Sequence, residues 1–264
     1  MMKDLFDSHA HLDDPRFDED REAIIADMGE RGMLCVCVGS DMPTSRAAVA
    51  LAQAHPGRLW ASAAVHPHWA KDFAPADVEQ LRAWSSLPHV VAMGEMGLDF
   101  HYDLSPRPVQ REVFAAQLEL AYSLDMPAIL HVREAHGETI DMLRVRRDRL
   151  PPLLLHCYSG SWESAREYMD MGAMISFAGS LTFHKAANLQ EAARRIPTDR
   201  LLIETDSPYL APEPVRGRRN DPRNVAHVAA FLAALRGEEA GEVAAYTRQN
   251  ALRFYRIDGT GHAL

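Results

Sequence analysis

A parallel (β/α)8 barrel of the TIM type is the fold that this sequence predicts. Eight short apolar, β-branched runs alternate with amphipathic stretches, the rhythm of strand and covering helix. Five of those runs end in an ionisable side chain, at the point where barrel enzymes keep their chemistry. The length agrees: 264 residues, 47% of them hydrophobic, suit one large domain with a buried core, here 1–264. No low-complexity run and no linker rich in Gly, Pro or Ser marks a boundary.

In chain order, strands are expected at about 4–9, 33–39, 59–65, 89–94, 126–132, 152–157, 173–178 and 200–205. Helices are expected between them near 18–31, 43–55, 75–86, 106–124, 134–147, 161–171 and 184–195, followed by a helical tail at 222–235 and 239–255. The 106–124 segment is the clearest. Pro106 stands near its start, and Val113, Phe114, Leu118 and Tyr122 share one stripe.

Composition narrows the class. A formal charge of −9 argues against a protein that coats nucleic acid by general electrostatics, while leaving room for a local basic site. The apolar runs are broken by Pro, His or charge well short of a membrane span. The opening MMKDLFDSHAH turns polar too early for a signal peptide. Cys35, Cys37 and Cys157 form no disulfide framework and no CxxC, so a cytoplasmic location with buried thiols is expected.

The ionisable strand ends converge on metal chemistry. FDSHAH sets His9 and His11 two residues apart, a spacing that points both imidazoles to one side of a strand. MGEMGLD presents Glu95 between glycines that permit close backbone approach. ILHV ends in His131, LLLHC in His156 and IETD in Asp206. One such histidine is usually structural and one such carboxylate can be a helix cap. Six of them on five strand ends have one common explanation, a metal centre at the barrel mouth. Six ligands exceed what one tetrahedral ion needs, so two divalent cations are expected, with Glu95 as the natural bridge. Imidazole mixed with carboxylate suits Zn²⁺, Mn²⁺ or Fe²⁺ better than an all-oxygen Mg²⁺ or Ca²⁺ cage; zinc, manganese and magnesium are the ions to assay.

At these residues the sequence resembles the TatD family of metal-dependent deoxyribonucleases, within the amidohydrolase-like barrels. The matching motifs run in order along nearly the whole chain: DSHAHLD (7–13), VHPH (65–68), GEMGLDF (94–100), QREVFAAQLELA (110–121), HVREA (131–135), HCYSG (156–160), ISFAGSLTF (175–183), LLIETDSPYLAP (201–212), RGRRNDP (216–222) and TRQNALRFY (247–255). The resemblance implies a TIM-type barrel with two metals. It implies His9, His11 and Asp206 on one ion, His131 and His156 on the other, and Glu95 bridging. Asp206 would also orient the attacking water and take its proton. The implied activity is hydrolysis of DNA phosphodiesters, typically 3′ to 5′ and from single-stranded or frayed ends. Val132 stands where serine is frequent and Tyr158 where phenylalanine is frequent. Neither is a ligand, so both bear on substrate preference.

A phosphate ester needs donors for its non-bridging oxygens, and arginine supplies them in pairs. Arg133, two residues past His131, is one candidate, and Arg216, Arg218 and Arg219 in the RGRRN run are others. His66 and His68 are further candidates: His66 is expected to face the site, and His68 either to do the same or to cap or pack. Phe100, His101 and Tyr102 are candidates for stacking on a base, and Asp99 for holding a neighbouring imidazole. His55, His89, His136, His184, His227 and His262 are assigned no role. No feature points to an obligate protein partner.

Two rival readings stay open. Related barrels that cleave C–N or C–O bonds, such as amidases, lactonases and deacylases of aminoacyl-tRNA, often bridge their metals with a carbamylated lysine on strand four. Here the lysines are Lys3, Lys71 and Lys185, none at an expected strand end, which leaves only a Glu-bridged esterase or amidase from that group. The other rival is a non-catalytic metal-binding protein, against which stands the complete ligand set.

Overall fold

The computed structural model describes residues 2–258; His262 lies outside them. Eight strands form one parallel sheet in sequence order: β1 Phe6–Ala10, β2 Leu34–Val38, β3 Leu59–Ser62, β4 Val90–Asp99, β5 Ala128–Arg133, β6 Leu153–Leu155, β7 Met174–Phe177 and β8 Leu201–Ile203. The last strand returns to the first through a parallel bridge between Ala10 and Ser207, with Asp206 N donating to His9 O at 2.9 Å and His11 N to Ser207 O at 2.7 Å. The predicted barrel is the observed one.

Helices α1 Arg21–Glu30, α2 Met42–Ala54, α3 Pro75–Ser85, α4 Arg107–Ser123, α5 His136–Arg144, α6 Trp162–Asp170, α7 Ala187–Arg195, α8 Val225–Arg236 and α9 Ala240–Phe254 cover the sheet. Each falls within two or three residues of its expected place. In α4, Val113, Phe114 and Leu118 are buried, but Tyr122 is 37% exposed, so the apolar stripe ends one turn early. Among the described residues no helix is long and apolar enough to cross a membrane.

The barrel interior is layered. Phe6, Val36, Trp60, Ile129, Leu154 and Leu202 fill its lower half, and Phe254, Tyr255 and Ile257 at the end of α9 pack into the same cluster. Above them lies a polar layer. Ser8 Oγ is 3.0 Å from Ser176 Oγ, and Ser62 Oγ donates to Gly94 O at 2.8 Å. Above that stand the ionisable residues.

Alternation alone does not aim those residues. Ser8 belongs to the interior, so in a regular strand His9 would face the helices. Between Asp7 and Ala10, β1 spans three positions against two in β2, so one extra residue re-aims the chain. β4 does the same between Met93 and Met96 against β5, at Glu95. Two glycines allow it. A Cβ on Gly97, whose φ is 146°, would stand 2.0 Å from His131 O, and one on Gly94 would stand 2.5 Å from Ile129 Cβ. β4 therefore runs on to Asp99, past the expected end at 94, while β6 and β8 stop short and leave His156 and Asp206 just beyond the ladder.

Candidate metal centre

All six predicted ligand residues meet at the C-terminal mouth of the barrel, where five line a cavity of about 680 Å³ and His9 is buried beside them. Glu95 lies at its centre. One carboxylate oxygen, Oε1, is 2.6 Å from His156 Nε2 and 2.7 Å from His131 Nδ1. The other, Oε2, is 3.5 Å from His9 Nε2 and 3.9 Å from His11 Nε2. Asp206 Oδ1 closes the second group, 3.3 Å from His11 Nε2 and 3.8 Å from His9 Nε2.

For His11, His131 and His156 the far side of the ring fixes which nitrogen faces inward. His11 Nδ1 is 2.7 Å from Val38 O, His131 Nε2 is 3.1 Å from Asp99 Oδ2, and His156 Nδ1 is 3.1 Å from Glu204 Oε1. Those partners accept hydrogen bonds, so in the neutral rings the outer nitrogens carry the protons and the inner ones present lone pairs. His9 Nε2 and His11 Nε2 face each other at 3.3 Å. Inward lone pairs beside two carboxylates, with no lysine or arginine among them, form a donor set that fits divalent cations.

Charge in the cluster follows the same logic. Burial opposes ionisation of Glu95, but the imidazoles of His156 and His131 hold its carboxyl well below the usual range. Burial alone would lower His11; Asp206 beside it overrides that and raises it to about 9. Burial, with His131 next to it, pushes His66 down to about 3, so that ring is neutral. His66 Nδ1 accepts from the His68 backbone N–H at 3.1 Å, which leaves its proton on Nε2, 3.5 Å from Glu95 Oε1. His66 thus presents a hydrogen-bond donor to the centre and not a lone pair.

The other expectations divide. Asp99 does hold an imidazole, and in fact two, because His68 Nε2 lies 3.0 Å from the same Oδ2. Of the two places open to His68, the structure gives it the cavity, tied to the His131 partner. Arg133 lines the cavity and has no ion pair among the described residues. The RGRRN arginines do not line it: Arg219 pairs with Asp20 at 2.6 Å, Arg216 with Glu213 at 3.4 Å, and Arg218 is absent from the wall. Tyr102 lines it, whereas Phe100 is covered by Arg107 at 4.4 Å and His101 pairs with Glu134 at 2.7 Å. Cys35 and Cys37 are buried as expected, but Cys157 is half-buried on the cavity wall.

Sequence reading passed over Glu204. Its side chain is fully buried behind His156, and Oε1 also accepts from Cys157 N at 2.6 Å. The available signal was a charged residue two before Asp206, at the end of the apolar run LLI.

A TIM-type barrel whose mouth holds four imidazoles and two carboxylates of this geometry is the build of a metal-dependent hydrolase. Comparison with known proteins agrees. The model of the family described as TatD related DNase matches residues 6–256. The uncharacterized metal-dependent hydrolase YabD of Bacillus subtilis is 40% identical over 255 residues, 96% of this chain and 100% of that protein. A protein of Pectobacterium carotovorum named 3′-5′ ssDNA/RNA exonuclease TatD is 36% identical over 259 residues, again 96% of this chain and 100% of its own. The crystal structure of YJJV, a TatD homologue from Escherichia coli, superposes with a TM-score of 0.90 at 29% identity, over 98% of this chain and 100% of that one. The chain belongs to the TatD family of metal-dependent hydrolases.

Proposed function

We propose that the chain is a two-metal phosphodiesterase that removes nucleotides from the 3′ end of single-stranded or frayed DNA, as a single-domain cytoplasmic enzyme. The observation that carries the two-metal reading is Glu95, whose two oxygens face separate imidazole pairs. On this reading His9, His11 and Asp206 would hold one cation and His131 and His156 the other, with Glu95 serving both. Bound there, the cations would supply a water of lowered pKa and offset charge on the attacking and leaving oxygens. Asp206 orients the attacking water and accepts its proton. Arg133 and the Nε2–H of His66 donate to the non-bridging phosphate oxygens. The name of the Pectobacterium relative supports nucleic acid as substrate, and the unpaired cysteines suit a reducing compartment.

The test is a labelled single-stranded oligonucleotide incubated with Mg²⁺, Mn²⁺ or Zn²⁺. Controls contain a chelator, or an identically prepared Asp206→Asn variant. Stepwise loss of 3′ nucleotides by wild type alone supports the reading and selects the metal. Wild type that stays silent with every metal while cleaving a carboxylic or aminoacyl ester overturns DNA as substrate.

A further inference from the structure

Besides Trp69, the cavity rim carries two tyrosines, each with an arginine over its ring, that the hydrolytic chemistry does not use. Tyr102 follows β4 and is 54% exposed; Tyr209 follows β8 and is 48% exposed. Each is backed by an arginine. Arg133, at the end of β5, stands over the Tyr102 ring with Cζ 4.7 Å from the centroid. Arg16, in the segment after β1, stands over Tyr209 at 4.4 Å. In an eight-stranded ring ordered β1 to β8, the β4–β5 and β8–β1 neighbourhoods are diametrically opposite. The two pairs therefore face each other across the metal centre.

Both rings are fixed to that centre. Tyr102 N donates to Asp99 Oδ1 at 2.8 Å, and Asp99 holds His131. The Tyr102 ring meets His68 edge-on at 5.5 Å. Tyr209 N donates to Asp206 O at 2.9 Å, its carbonyl accepts from Asn220 Nδ2 at 2.7 Å, and its ring meets His11 edge-on at 6.0 Å. An arginine on one face of a tyrosine leaves the other face for stacking, and its charge strengthens that face for an electron-rich ring. Exposed, anchored aromatics on either side of a phosphoryl site suit a flat heteroaromatic group on each side of the phosphate.

We propose that the Arg133–Tyr102 and Arg16–Tyr209 pairs are two nucleobase platforms, which take the unstacked bases flanking the scissile phosphate of a single strand. The proposal rests on the phosphodiesterase reading of the centre. Stacking on a π-face is indifferent to base identity, so the platforms select for unpaired ends and not for sequence. A duplex must fray before either tyrosine can be reached.

The experiment uses full-length, metal-loaded protein and two single strands. One carries 2-aminopurine at its two 3′-terminal positions, and the other carries abasic tetrahydrofuran residues there. KM and kcat are measured for wild type, Tyr102→Ala, Tyr209→Ala and the two Tyr→Phe variants, with 2-aminopurine quenching as a separate binding readout. Wild type is expected to prefer the base-bearing strand by about tenfold or more in KM, in line with typical base–aromatic stacking. Each alanine variant should erase most of that preference and its share of the quenching, and each phenylalanine variant should keep both. Wild type that cleaves both strands with equal KM overturns the platforms alone. The same holds for alanine variants that keep the preference. Wild type that neither binds nor cleaves either strand overturns the phosphodiesterase reading, and the platforms with it.

Discussion

His66 and Glu204 show how single hydrogen bonds divide labour inside one cluster. His66 reaches the centre like its neighbours, yet its Nδ1 is occupied as an acceptor and its Nε2 must donate. His66→Phe is therefore expected to keep full metal content by elemental analysis while kcat/KM falls by about a hundredfold, a typical cost for one lost transition-state donor. Loss of metal in that variant would make His66 a ligand instead. Glu204 works in the opposite sense. It holds the outer nitrogen of His156 from full burial, where water cannot substitute. Glu204→Leu should weaken Zn²⁺ binding to the apo-protein by roughly 10–100-fold in a calorimetric titration, and Glu204→Gln by less, because its amide oxygen still accepts. Equal binding by all three proteins would sink this role. The six clustered residues were legible because each is a polar residue that interrupts an apolar run. The places of His68 and Arg219 were not legible, because their partners, Asp99 and Asp20, lie 31 and 199 residues away.

At the scale of elements, strand periodicity located every strand but could not reveal the extra residues in β1 and β4. A bulge leaves little trace in hydrophobic alternation; only the glycines flanking Glu95 hinted at it. Contacts between helices were equally hidden. His136, read as having no role, begins α5 with Nδ1 3.2 Å from the Tyr168 hydroxyl of α6. Burial pushes it down to about 4 from an ordinary value near 6.5. Between those values the unfolded chain binds a proton that the folded chain refuses. The stability gained from the neutral ring is therefore complete above about pH 6.5 and is lost as pH falls toward 4. Urea midpoints measured from pH 7.5 to 4.5 should decline more steeply for wild type than for His136→Gln. Identical slopes would show that this contact does not govern acid sensitivity.

For the whole molecule, the barrel was legible because its two periodicities repeat eight times, while the electrostatics of its mouth needed the third dimension. Asp13, Asp14, Asp41, Glu95, Asp99 and Asp206 line the cavity wall, where Arg133 is the one arginine among the described residues, in a chain already carrying −9. A phosphate enters such a cavity only once cations reverse its sign. Chelation should thus abolish binding of a dye-labelled oligonucleotide in fluorescence anisotropy and also lower Tm, since an ion bound only by the folded state stabilises it by mass action. Added metal should restore both. Oligonucleotide binding that survives chelation would mean that affinity resides elsewhere on the surface.

Helix α9 ties these scales together. Tyr255 packs against Phe6 inside the barrel floor, and its hydroxyl donates to Ser8 O at 2.7 Å, one residue before His9. β1 is bridged to the segment after β8, so the His9, His11 and Asp206 group joins positions nearly two hundred residues apart. Contacts of that span close the longest loops and carry the largest loop-closure entropy. During synthesis, a growing chain that has exposed β1 to β7 holds most of its ligands but has no closed centre in which to use them. Hydrolytic competence then arrives with completion of the fold, which spares the cell from half-made copies of the enzyme.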